Sequence, residues 1–140
     1  MKATELMIGD WVGRVFDDKR IDYRQVDWIR TGEIGLRYQK VWAIGCIEPI
    51  PLTPEILEKN GWEKIDFSHY QINDRTLVLD ADGKWDGEVS WHWVVTEMST
   101  NSKGQNVVLD YYVATLNYVH ELQRALRCCG LWDIADNFVV

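Results

Sequence analysis

Apolar and polar residues alternate with a two-residue period through most of this chain and give way to a helical period in only two places. Trp11 to Phe16 reads as a strand that follows the turn pair Gly9-Asp10, and Asp17-Asp18-Lys19-Arg20 is the polar turn that ends it. Ile21, Tyr23 and Gln25 alternate with Asp22 and Arg24, while Val26 and Trp28 resume on the opposite parity, which predicts a bulge near Gln25. Thr31-Gly32-Glu33 turns the chain into Ile34 to Tyr38 and then Val41 to Ile44, and Ile47 to Ile50 gives a last short strand before Pro51. Short strands, tight turns and no intervening helix predict a small curled sheet or partial barrel.

The first break in this pattern is Leu52 to Trp62, which carries the signals of a capped helix. Thr53 is the N-cap, Pro54 the first helical residue, Glu55 an acid at the positive end of the helix dipole, and Gly61 the left-handed residue after the last turn. Leu52 and Leu57 stand at staple positions, and Trp62 can fold back on Leu57 as in a Schellman ending. Two helical turns do not persist alone, so the segment must dock on something larger.

Alternation returns at Ile65 and Phe67, at Leu77 and Leu79, and along Val89, Trp91, Trp93 and Val95. With turns at Asp80 to Lys84 and Thr100 to Gly104 and a further strand from Val107 to Val113, an antiparallel meander is expected. Thr115 then caps a final helix whose apolar residues Leu116, Val119, Leu122, Leu126 and Cys129 form one stripe, ended by Gly130 with Leu131 against Leu126. Arg124 and Arg127 suit its C-terminal dipole, Glu121 can pair with Arg124, and the apolar tail of Trp132, Ile134, Phe138 and Val139 should pack. The expected class is α+β: an N-terminal small β-sheet or SH3-like partial barrel, a short linking helix, and a C-terminal antiparallel sheet covered by one amphipathic helix. The expected boundaries are 1–52 and 53–140, with one shared compact domain as the alternative.

Composition narrows the functional classes. At 140 residues the chain can bury a substantial core, and 46% apolar residues with eight Trp argue against disorder. The apolar runs are too short for a membrane span, the polar opening Met1 to Glu5 is unlike a secretory signal, and Cys46, Cys128 and Cys129 suit reduced thiols in a cytoplasmic protein. A net charge of −7 opposes general nucleic-acid binding.

No catalytic, cofactor-binding or metal-binding residue is assigned. His120-Glu121 begins a zincin-like pattern, but Arg124 stands where the second His is needed. Asp80, Asp82, Asp86 and Glu88 around Gly83 miss the EF-hand register. Cys128-Cys129 lacks the spacing of a metal or redox pair and reads as small apolar residues, and His69, His92 and Ser90 lack a nucleophile-elbow pattern. Most of the Trp residues alternate inward, but Trp85 falls within a polar turn among Asp82, Asp86 and Glu88. Those four residues form the expected partner-binding patch, because interface centres favour Trp and an acidic rim steers a basic protein. The expected function is therefore non-catalytic protein binding, with no cofactor and no membrane. An enzyme whose site forms only in three dimensions is the alternative.

Leu6-Met7-Ile8-Gly9-Asp10-Trp11-Val12 is similar to the opening of SH3-like small barrels, where an apolar residue, Gly and Asp lead into the first strand. Together with Pro49 to Trp62 and Val119-His120-Glu121-Leu122-Gln123, it resembles a family of small uncharacterised bacterial proteins often found among mobile-element genes. That resemblance implies no activity and carries over no functional residue.

Overall fold

The alternating segments of the first half form five antiparallel strands, β1 (Trp11–Val15), β2 (Ile21–Arg30), β3 (Glu33–Leu36), β4 (Val41–Ala43) and β5 (Ile47–Glu48). The computed structural model describes residues 1–38, 41–73, 75–80 and 90–140. The strands lie in the order β4-β3-β2-β1-β5, and a 3-10 turn at Ile44–Cys46 leads into β5. The long strand β2 serves both halves of the sheet, pairing with β1 from Ile21 to Gln25 and with β3 from Val26 to Arg30. Its register shifts between Val26 and Trp28, close to the expected bulge, and such a shift bends a strand and lets the sheet curl. This is the small antiparallel sheet that the alternation predicted. Leu6, Val12, Val26, Ile34, Leu36 and Ile47 fill its core.

The end of the chain belongs with this sheet: one unit is Met1–Leu52 with Tyr118–Val140, and the other is Thr53–Asn117. The last helix therefore falls in the first unit, whereas the sequence pattern had placed it in the second, within 53–140. That helix, α2 (Val119–Cys128), begins after Tyr118 and not at Thr115, because Thr115 and Leu116 are still paired in a strand opposite His92 and Trp91. A bond from the Val119 N–H to the Ile50 carbonyl and a bridge between Pro51 and Tyr118 fasten its start. A further short helix, α3 (Trp132–Asp136), follows the turn at Gly130, and Ala135 and Phe138 are buried.

The buried face of α2 differs from the expected stripe. Val119, Leu122 and Leu126 are inside, but so are Gln123 and Arg127, whereas Cys128 and Cys129 are exposed. Gln123 accepts from the Trp11 N–H at 2.9 Å and donates to the carbonyls of Gly9 at 3.1 Å and Ala135 at 2.9 Å. Arg127 Nη1 lies 2.5 Å from Asp10 Oδ1. Gly9 has φ +88, and a Cβ there would come within 3.0 Å of Arg127 Nη2, so the turn needs glycine on both counts.

The second unit holds α1 (Pro54–Lys59) and the strands β6 (Glu63–Lys64), β7 (His69–Ile72), β8 (Arg75–Asp80), β9 (Ser90–Thr100) and β10 (Asn106–Leu116). They form the expected meander, in the order β10-β9-β8-β7-β6. Helix α1 is built as its sequence signals require. Thr53 accepts from the Ile56 N–H, Gly61 has φ +81, and the N–H groups of Trp62 and Gly61 donate back to Leu57 and Glu58 in a Schellman ending. The core is aromatic: Tyr70 packs edge-on against Trp91 at 5.4 Å, and Trp62 against Trp93 at 6.3 Å.

In the first sheet Gly35 sits opposite Trp28, and a Cβ on Gly35 would collide with the Trp28 indole at Nε1. The indole covers the glycine. Gly35→Ala is therefore expected to cost about 2 kcal/mol or more in urea unfolding, as overpacking does. Gly45→Ala, with nothing within 4 Å of its Cβ position, should stay within about 0.5 kcal/mol. Equal midpoints for the two variants would contradict the packing of Trp28 on Gly35.

Candidate functional site

Chemistry-bearing side chains converge at the start of α2. Tyr118 precedes the helix in extended conformation, and its N–H donates to Glu121 Oε2 at 3.1 Å, one half of a capping box. This places His120 in the first turn, only 5% exposed and stacked on Tyr118 with ring centroids 5.9 Å apart. His120 lines a cavity of about 330 Å³ together with Glu5, Tyr118, Glu121 and Arg124. Its Nδ1 is buried with no hydrogen-bond partner among the described residues. Loss of solvent pushes the imidazole pKa below its ordinary 6.5, against the opposing pull of Glu121 and Asp10, so the ring is neutral at pH 7.

The other groups are already committed to local structure. Arg124 Nη2 donates to the Glu5 carbonyl, and the Glu5 carboxylate accepts from the Lys2 N–H at 3.0 Å, which holds its pKa below the usual range. The guanidinium stands where a zincin would need its second imidazole and would repel a cation. Among the described residues no group of three or more His, Cys, Asp or Glu is placed to hold a metal ion. What the cavity offers is a neutral imidazole beside carboxylates and a fixed guanidinium, a set able to bind a small polar group or to exchange a proton with one.

A second cluster lies where a strand was expected. Ile65 and Phe67 alternate like strand residues, yet 66–68 is a bend, because Asp66 Oδ1 captures the N–H groups of Ser68 at 2.8 Å and His69 at 2.9 Å. The same oxygen lies 2.8 Å from His69 Nδ1, and these contacts hold the Asp66 pKa at about 2. Ser68 Oγ also meets His69 Nδ1, at 3.0 Å. A hydroxyl and a carboxylate on one imidazole nitrogen do not form a relay, which needs them on opposite nitrogens. The bend instead turns Ile65 and Phe67 to solvent, 54% and 83% exposed.

The remaining candidates are not brought together. His69 and His92 are both in register with Val78, one on each side, two strand spacings or roughly 10 Å apart, and His92 Nδ1 meets Thr115 at 3.2 Å. Ser90 stands opposite Asp80. Trp85, Asp82, Asp86 and Glu88, with the calcium-like loop, lie outside the described residues. Trp91 and Trp93 are core, as alternation predicted, while Trp28 and Trp42 are half-buried. Sequence reasoning missed the cavity, since Glu5 and His120 are far apart in the chain. It also missed the exposure of Phe67, for which Asp66 followed two residues on by Ser68 was the available signal.

The depressed pKa values of His120 and Asp66 set the same sign. His120 stabilises the fold fully above pH 6.5, and that stability is lost as pH falls through its lowered folded value. Asp66 contributes above 3.8, its ordinary value, and its contribution disappears as pH falls through about 2. Urea midpoints of the protein are thus expected to begin falling just below pH 6.5, and His120→Gln should remove that first fall while keeping the second. An unchanged first fall in the variant would show that His120 is not the group responsible. No protein-family model, curated protein or solved structure matches the chain, so these assignments stand on its own residues.

Proposed function

We propose that this chain is a non-catalytic binding protein that acts through a protein partner. The observation that carries the reading is the bend at 66–68, where Asp66 fixes the backbone and holds a large aromatic side chain, Phe67, in water. An exposed ring on a pre-ordered turn loses little conformational entropy on binding, which is what an interface anchor requires. Trp85 with Asp82, Asp86 and Glu88 belongs to the same reading as a further contact patch that favours a basic partner. A cytoplasmic setting, and membership of the mobile-element family that the sequence resembles, are parts of the same proposal.

The cavity around His120 favours a second reading, a small enzyme, because it gathers a neutral imidazole, carboxylates and a guanidinium in one concave site. Capture from host lysate with the protein, Phe67→Ser, Trp85→Ala and His120→Gln separates the two. The binding reading expects one protein to be retained by the parent chain and reduced by Phe67→Ser, with an unchanged melting midpoint. Loss of that protein on no surface substitution would overturn it.

A further inference from the structure

We propose that the cleft between residues 2–6 and the β2–β3 turn is a docking site for an acidic, aliphatic peptide segment of a partner protein. It is an open groove of about 590 Å³ with half-buried Ile29 and the buried core residue Leu6 along its floor, Thr4 and Thr31 supplying hydroxyls, and Lys2 and Arg30 supplying charge. In a chain of net charge −7 this groove has two cations and no acid among its lining residues. Neither cation makes an ion pair within 4 Å among the described residues, and the Glu5 carboxylate, which feels the Lys2 charge, is bonded to the Lys2 backbone N–H. Arg30 is held in place, its guanidinium carbon 4.9 Å from the Trp28 ring centroid, and Trp28 is in turn seated on Gly35. A guanidinium fixed on an indole face keeps its N–H fork available for a carboxylate at little entropic cost.

The surroundings select the class of ligand. A nucleic acid carries its charge along its whole length and meets the repulsion of the acidic chain, whereas a short segment with a few carboxylates spaced by aliphatic residues meets less of it and responds mainly to cations within a Debye length. An open groove with an apolar floor suits a chain segment that lays an aliphatic side chain on Ile29 and places carboxylates between Lys2 and Arg30. The inference shares with the proposed function only that the partner is a protein. It uses different residues, in the first unit, so it can fail while the bend at Phe67 keeps its role.

The test is an NMR titration of the full chain with a blocked peptide of alternating aspartate and leucine. Saturating amide shifts confined to residues 2–6 and 29–32 are expected, weakened by added salt. Arg30→Glu and Lys2→Glu should each raise Kd by about tenfold or more. Arg30→Gln, a milder change, guards against misfolding and should weaken binding by less. A peptide of alternating lysine and leucine should leave these amides unmoved. The proposal is overturned if both peptides bind alike, if the variants bind as the parent does, or if the shifts fall elsewhere. It is equally overturned if acetate alone reproduces the shifts at the same concentration, or if the same amides move on raising protein concentration, which would assign the groove to a second copy of the chain.

Discussion

The first unit depends on one buried ion pair. Asp10 and Arg127 are 117 residues apart in sequence, yet their side chains meet at 2.5 Å with 0% and 2% of their surface exposed. Removing two charges from water costs several kcal/mol per ion, a cost offset only when the geometry is good and further hydrogen bonds are made. Here Asp10 Oδ2 also accepts from the Met7 N–H at 2.8 Å, and Arg127 Nε lies 3.2 Å from Asp136. Gln123, one helical turn before Arg127, satisfies three backbone groups, and Trp11 Nε1 donates to the Phe138 carbonyl at 2.6 Å. The turn before the first strand and the last two helices thereby determine each other's positions. The cavity at His120 follows from this arrangement, since it needs residues 1–5 and the start of α2 side by side.

Elements that local chemistry decides are legible in the sequence. Helix α1 carries its cap, its proline and its terminal glycine within nine residues; the proline stands where no N–H is needed, and the cap and the glycine make the bonds they signal. The strands of the first sheet follow from alternation, because a half-buried sheet imposes a period of two whatever its partners. Helix α2 departs from its apolar stripe because Gln123 and Arg127 are polar by type but buried by partnership, and those partners include residues at the opposite end of the chain. Cys129 sits on the expected stripe, yet the buried face is rotated toward Gln123 and Arg127, which leaves the thiol outside.

The candidate sites show the same division. His120-Glu121 is visible as a fragment of a metal motif, and Arg124 rules against that motif on spacing alone. The cavity beside His120 is lined in part by Glu5, which spacing does not connect to it. At Ile65 and Phe67 two local signals compete, hydrophobic alternation and the turn-forming carboxylate of Asp66. The carboxylate prevails because it satisfies two backbone N–H groups at once, in a place where the sheet would bury only two side chains. An aromatic ring in water is the consequence, and it is this ring that the proposed function uses.

The most direct measurement is a double-mutant cycle in urea unfolding on Asp10→Asn and Arg127→Met. If the buried pair organises the first unit, each single substitution strands a buried polar or charged group and costs about 3 kcal/mol or more. The double variant should then cost clearly less than the sum, with a coupling of about 2 kcal/mol. Two small and additive losses would contradict the account and leave the position of the last helices to apolar packing alone.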